Sequence, residues 1–287
     1  MRAFLLFISP WLIGYLTLTL GPIVVSGWFS LTDYDLVSSP YFIGLDNYRE
    51  LLDSRLFWQS LKVTALYTLG HVPLSVIGAM CLATLLNQNI PGLSLWRTLF
   101  YLPVVTSGVA VALLWSWIFQ PTFGLVNSLL YRLFGIQGPG WFFSEQWCIP
   151  AFVIMSLWGI GGPMLIYLAG LQGIPTQLYE AAEIDGASSF QKFRSITLPM
   201  ITPVVFYNTV MAIISSFQVF TSSFVITQGG PNYASYFYVL YLYQNAFEYF
   251  RMGYASALAW ILFCVILVLT ALLFGTSRHW VYYESVG

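Results

Sequence analysis

Charge is scarce in this chain: 7% of its 287 residues are Asp, Glu, Lys or Arg. A soluble domain of this length carries about 25%. So few charges cannot cover a water-facing surface, whereas they suit one that faces lipid. The net charge of −1 leaves no basic patch, which argues against nucleic acid as a partner. There are three cysteines, far apart and without CxxC spacing, so neither a disulfide framework nor a metal site follows. Cys81 and Cys264 fall in apolar runs and read as small packing residues. There is no GxxxxGK[ST] phosphate loop, so the chain does not itself hydrolyse ATP. With two histidines, one near each end, no nucleophile–base pair or catalytic cluster can be assembled. An ion-coupled carrier working alone needs intramembrane Asp, Glu, Lys or Arg. Here His71 is the one ionisable residue well inside an apolar run, and Lys62 stands only at the edge of one.

Apolar residues are abundant: 58% of the chain is hydrophobic and 18% aromatic, with a mean hydropathy of +0.76. A bilayer core about 30 Å thick takes roughly 20 apolar residues per helix. Six stretches qualify, at about 4–30, 60–86, 98–119, 150–172, 199–227 and 252–275. Backbone groups cannot stay unpaired in lipid, so each reads as a helix, and the fold class is an all-α integral membrane protein. The runs do not alternate in the way barrel strands do. The apolar run from Ala3 to about Leu31 is too long for a signal-peptide core and reads as a retained span. Pro73 and Pro163 lie inside spans and predict kinks. No internal repeat marks two halves. Residues 1–287 read as one transmembrane domain.

Six spans put both termini on one side. Arg2, Arg97, Lys192, Arg194 and Arg278 share that side, against Arg49, Arg55, Arg132 and Arg251 opposite, with Lys62 at the membrane edge. The near balance leaves orientation open by the Lys/Arg rule.

One segment breaks the pattern. Between the fourth and fifth spans, 173–198 holds "QLYEAAEIDGASSFQKFRSITLP". Helix formers run to Gly186, a natural helix stop, and small hydroxyl residues start a second short helix that ends before Pro199. Two short helices bent at a glycine make a knob on the membrane surface. Ala181, Ala182, Ile184 and Ala187 would give it an apolar face, while Glu180, Glu183 and Asp185 stay wet. On these residues alone, a docking knob and an amphipathic loop lying on headgroups both fit.

The run Glu180-Ala181-Ala182, then Asp185-Gly186-Ala187, Ile196, Leu198-Pro199 and Pro203 resembles the EAA signature of inner-membrane permeases in binding-protein-dependent ABC importers. The stretches "FIGLDNYREL", "YLPVVTSGVAVALLWSWIF", "TQGGPNYAS" and "RMGYASALAWIL" resemble its sugar-permease branch, of the maltose and glycerol-phosphate type, and cover most of the chain. The resemblance implies a type I importer permease with a cytoplasmic coupling helix and both termini inside a bacterial inner membrane. Its loop, 173–198, would dock in a groove on an ATP-binding subunit. Glu180 would meet basic or polar groups there, Ala181 and Ala182 would allow close approach, and Gly186 would permit the bend. Phe193, Ile196 and Leu198 would anchor the knob. The implied complex adds a sibling permease, two ATPase subunits carrying ATP and Mg, and an extracytoplasmic binding protein. This chain would hold no cofactor and would not be an enzyme.

The resemblance also implies a sugar or related polyol as substrate. An uncharged polyol needs amides, hydroxyls and aromatic faces without fixed charge. The fifth span offers Asn208, Phe217, Gln218, Phe220, Thr221 and Ser222; the fourth offers Trp158, Gly161, Met164 and Tyr167; the second offers His71. Membrane serines and threonines commonly bond their own i−4 carbonyls, and an intramembrane amide such as Gln218 needs partners that lipid cannot supply. An anionic substrate such as a glycerol phosphate is the alternative, against which stands the lack of Arg or Lys within the spans.

Overall fold

The computed structural model describes residues 2–88 and 91–282. The first span is assembled from α1 (Arg2–Gly14), a π-helical stretch Tyr15–Leu20 and α2 (Gly21–Phe29). A two-stranded hairpin follows, β1 (Thr32–Asp33) against β2 (Tyr41–Phe42), antiparallel with Thr32 opposite Phe42. Then come α3 (Asp46–Asp53) and α4 (Arg55–Leu86). The remaining helices are α5 (Leu93–Tyr101), α6 (Gly108–Ile118), α7 (Leu125–Phe134), α8 (Cys148–Ser156), α9 (Gly161–Gln172), α10 (Thr176–Ile184), α11 (Ser189–Lys192), α12 (Leu198–Phe217), α13 (Thr221–Ile226), α14 (Tyr238–Tyr243) and α15 (Met252–Ser277).

Among the described residues four helical stretches are long and apolar enough to cross a bilayer, and six when each of two bent pairs counts as one span. The bends match the proline expectation near Pro163 and depart from it at Pro73. Residues 93–118 turn by 101° between Val105 and Gly108, and 148–172 turn by 49° between Gly159 and Gly161. Pro103, in the 3-10 turn Leu102–Val105, and Pro163, two residues into α9, adjoin these breaks. α4 instead runs unbroken through Pro73. It also begins five residues before the expected 60, because Ser54 caps it by accepting a hydrogen bond from the Phe57 amide.

α4 is the central post and packs against α8, α9, α12 and α14. Its inward stripe is polar but satisfied: the Thr64 and Thr68 hydroxyls lie within hydrogen-bond reach of the carbonyls one turn earlier, and Thr68 Oγ1 also lies 2.9 Å from Ser216 Oγ. Small residues set the helix spacing, as expected where packing rather than water exclusion drives association. Ala79 and Ala83 are fully buried on α4. At Gly170 a Cβ would stand 2.7 Å from Val204 Cγ2, which brings α9 against α12.

The segment 228–251 is no free loop. Tyr236, Phe237, Tyr238, Leu240 and Tyr241 are buried. Tyr238 donates to the Leu258 carbonyl at 2.8 Å, and Tyr241 pairs with Tyr254 at 2.7 Å. With α3 and the hairpin this segment caps the end of the bundle opposite 173–198. Arg251 clasps Glu50 at 2.6 Å there and lies 4.3 Å above the Tyr254 ring.

Candidate functional site

The polar insert folds as a bent elbow. α10 ends at Asp185 and Gly186 takes a left-handed φ of +75°. The Gly186 amide donates to the Glu183 carbonyl at 3.0 Å and the Ala187 amide to the Ala182 carbonyl at 2.9 Å. This is a complete Schellman closure, which satisfies carbonyls that the helix end would otherwise orphan. The next residue starts α11 with a capping box, in which the Ser188 amide donates to Gln191 Oε1 at 2.7 Å and the Gln191 amide donates back to Ser188 Oγ. Lys192 Nζ reaches Glu183 Oε1 at 2.6 Å across the bend. The hydrogen bond from Lys192 and then its charge hold the Glu183 carboxyl below the usual carboxylate range. Tyr179 and Thr197 share a hydrogen bond at 2.9 Å, which ties α10 to the π-helical turn Phe193–Thr197 that leads into α12.

The elbow presents an unburied apolar tip. Ile184 is 88% exposed and Phe190 70%. Glu180, Ala181, Asp185 and Gly186 are also exposed, while Ala182 and Ala187 sit half-buried inside the bend. Ile196 packs on the α4–α9–α12 core, and Phe193 and Pro199 are half-buried. Leu198 is still exposed, so it contributes less anchoring than expected. Phe190 escaped sequence reading, because nothing in "SSFQ" distinguishes an outward from an inward phenylalanine.

Two clefts on one flank of the bundle, both open at the surface of this chain, share Ser156 and Gly159 as a wall. The larger, about 620 Å³, lies toward the elbow and is lined by His71, Ser75, Tyr101, Tyr207, Asn208 and Ser215 among others. The smaller, about 380 Å³, lies beyond the α8–α9 bend and is lined by Thr106, Trp158, Gln218, Phe220, Thr221 and Ser222. The shared wall is braced. Ser156 Oγ donates to the Val153 carbonyl at 2.6 Å and meets His71 Nδ1 at 2.7 Å. A hydroxyl has one proton, and with that proton given to Val153, His71 donates from Nδ1 and Nε2 is left as an acceptor. Tyr67 stacks on the His71 ring at 5.3 Å.

The smaller cavity has an unusual chemistry for a membrane interior. α12 stops at Phe217 and α13 starts only at Thr221. Across that break Thr221 and Ser222 have no preceding helical turn whose carbonyls their hydroxyls could reach. Among the described residues neither hydroxyl has a hydrogen-bond partner, and neither does the Gln218 side-chain amide, whereas Thr202, Thr209, Ser215 and Ser216 all bond back to their own helix.

Four of the residues expected in a pathway lie elsewhere. Phe217 belongs to the packed core beside Leu258 and Tyr238. Met164 and Tyr167 are fully buried between α4, α9 and α12. Gly161 is a contact point, where a Cβ would stand 2.0 Å from the Phe100 carbonyl oxygen, so α5 and α9 touch backbone to backbone. Their small size and aromatic character signal packing. Conversely, Tyr101, Ser156, Tyr207 and Ser215 were not anticipated. The i, i+4 spacing of Tyr207, Met211 and Ser215 was the available signal, since it places them on one helical face.

Comparison with known proteins agrees with these features. Residues 72–279 match the family described as binding-protein-dependent transport system inner membrane component. The probable ABC transporter permease protein YesP of Bacillus subtilis (strain 168) is 44% identical over 283 residues, 97% of this chain and 91% of the relative. The trehalose/maltose transport system permease protein MalF of Thermococcus litoralis is 33% identical, covering 95% of this chain and 92% of the relative. Among solved structures, a bacterial ABC transporter involved in the import of the acidic polysaccharide alginate superposes with a TM-score of 0.82 at 24% identity, over 96% of each chain. Elbow, bent spans and sequence together place this chain among the inner-membrane permeases of binding-protein-dependent ABC transporters.

Proposed function

We propose that this permease moves a neutral sugar or related polyol through the two stacked cavities, driven by ATPase subunits that grip the elbow. The observation that carries the substrate class is the set Gln218, Thr221 and Ser222, whose side chains hydrogen-bond to no described residue and which line an open cleft at span depth with Trp158 beside them. Hydroxyl-rich ligands supply both donors and acceptors to such groups, and an indole face suits a sugar ring. On the other side of the Ser156 wall, His71 Nε2, the Tyr101 and Tyr207 hydroxyls and Asn208 Oδ1 continue the polar lining. Asn208 spends only its amide nitrogen on the Val204 carbonyl. Neither cavity is lined by Arg or Lys, which disfavours an anionic substrate held by this chain. The trehalose/maltose name of the 33% identical relative supports the same class.

The elbow faces the cytosol in this reading, with both termini inside and the α3–α14 cap outside, where a solute-binding protein delivers the sugar. A second, homologous permease chain completes the pathway, and ATP and Mg reside on two partner subunits. Ile184 and Phe190 seat in the ATPase groove, and Glu180 meets its polar rim. ATP-driven closure of the two motors then moves the elbows together and rocks the spans.

The test is uptake by the assembled transporter in proteoliposomes containing labelled oligosaccharide and binding protein. Gln218→Ala and Thr221→Val should each lower uptake about tenfold or more while ATP hydrolysis persists, as unpaired polar groups on the bound sugar cost affinity. Unchanged uptake in both removes the smaller cavity from the pathway. Cysteines at Ile184 and at Tyr233 report orientation: the first must label from the cytosolic side and the second from outside, and the reverse result overturns the topology.

A further inference from the structure

We propose that a pocket on the outer flank of α4 is a phospholipid site, built for a headgroup that joins a phosphodiester to a primary ammonium. The pocket, about 410 Å³, lies at the end of the bundle opposite the elbow, between the first turns of α4, the start of α8 and the loop 232–234. Arg55, Gln59, Lys62, Glu145 and Tyr233 line it. Among the described residues Arg55, Lys62 and Glu145 form no ion pair; the three that occur are Arg49–Asp46, Lys192–Glu183 and Arg251–Glu50. Two cations and one carboxylate therefore face a single pocket unpaired.

Helical geometry says what continues from it. Arg55 and Lys62 are seven residues apart and lie on nearly the same side of α4, separated by about 10 Å along its axis. The same stripe runs on through Leu66, which also lines the pocket, and Leu69, which is 72% exposed. Thr64, Thr68, His71 and Ser75 lie on the opposite side, toward the bundle interior, so this pocket does not open into the sugar cavities. A charged head that passes directly into an exposed apolar strip is the footprint of an amphiphile lying along the helix.

The polar end fits one headgroup class. Arg and Lys together grip a phosphodiester. Glu145 accepts from an ammonium, which a primary amine supplies and a trimethylated one does not. The far wall is held in place: Gln59 Nε2 donates to the Tyr233 carbonyl at 3.2 Å, and Asn232 and Tyr233 adopt left-handed φ of 44° and 59°, which non-glycine residues keep only when the surroundings enforce it. Exposed Trp58 and Trp147 flank the site, as aromatic residues do at a membrane interface. The inference rests on the membrane-span reading and is independent of the sugar.

The experiment uses the assembled transporter in mild detergent, examined by native mass spectrometry after equal additions of phosphatidylethanolamine, phosphatidylglycerol and phosphatidylcholine. The intact protein should retain phosphatidylethanolamine preferentially. The double variant R55Q/K62Q should retain at least about tenfold less of it, K62R should retain the wild-type amount, and E145Q should bind phosphatidylethanolamine and phosphatidylcholine equally. These residues are exposed, and sugar uptake by the same preparations shows separately whether the transporter is intact. Equal retention by R55Q/K62Q overturns the proposal. So does displacement of the lipid by millimolar inorganic phosphate, which would identify a simple anion site, or a cross-link from a cysteine at Leu66 to another polypeptide instead of lipid.

Discussion

The bend at Gly186 sets a graded test of the coupling elbow. Its φ of +75° lies where a side chain clashes with its own backbone, yet a Cβ added there meets nothing within 4 Å. A substitution therefore acts through conformation alone, with no steric contribution from neighbours. Left-handed backbone costs an ordinary L-residue about 1–2 kcal/mol, or about a 5–30-fold loss in population of the closed bend. Asn, which tolerates this region, should cost least, Ala the full amount, and β-branched Val more. If the elbow transmits force, ATP-dependent uptake in proteoliposomes must fall in the order Gly186→Asn, Gly186→Ala, Gly186→Val. ATP hydrolysis by the motors should uncouple from uptake in the same order. Yield and membrane insertion should stay constant, since the position is exposed. Full uptake in Gly186→Val, or equal damage by Asn and Val, refutes the argument that this turn conformation carries the coupling.

Other expectations follow from the same structure. Gly161→Ala drives a methyl into the Phe100 carbonyl, which should cost about 3 kcal/mol in packing. It should lower the thermal unfolding midpoint, while any folded fraction keeps its sugar selectivity; altered selectivity would return Gly161 to the pathway. Ile184→Asp and Phe190→Asp should weaken co-purification of the ATPase subunits without changing substrate binding, and intact co-purification would remove the tip from the interface. Glu183 is held below its ordinary value of 4.5 by Lys192. Its pairing therefore stabilises the elbow above that value and is lost as pH falls through the depressed folded one. The protection factors of the Gly186 and Ala187 amides, taken relative to the pH-dependent intrinsic exchange rate, should fall on acidification, and this acid dependence should vanish in Lys192→Gln.

The membrane class and the elbow were legible because each rests on local signals. Scarcity of charge and the length of the apolar runs declare the spans, and Gly186 followed by Ser188 and Gln191 spells out a helix stop and restart. The breaks were harder to find. Pro73 and Pro103 look alike in sequence, yet α4 runs unbroken through the first, while the second adjoins a 101° turn. The lining of the two cavities was half legible. Gln218, Thr221 and Ser222 advertise themselves by polarity, but their freedom from partners depends on where α12 ends. Met164 and Tyr167 looked equally eligible and proved to be buried, since burial is decided by neighbours far away in the chain. The α14 segment was silent in sequence: its tyrosines can serve a wet loop or a packed cap, and their hydrogen bonds to Leu258, Tyr254 and Ser54 decide in favour of packing.

The π-helical turn between α11 and α12 joins them without a break in the rod, so Ser189 to Phe217 forms one stiff bar about 44 Å long. A bar of that length magnifies angle into travel. Pivoted near its elbow end, a tilt of about 10° sweeps the far tip, where Gln218 sits, through roughly 8 Å. That is comparable to the width of a sugar ring, so a pull on the elbow of the kind proposed above would be geared into a stroke large enough to open or shut the smaller cavity.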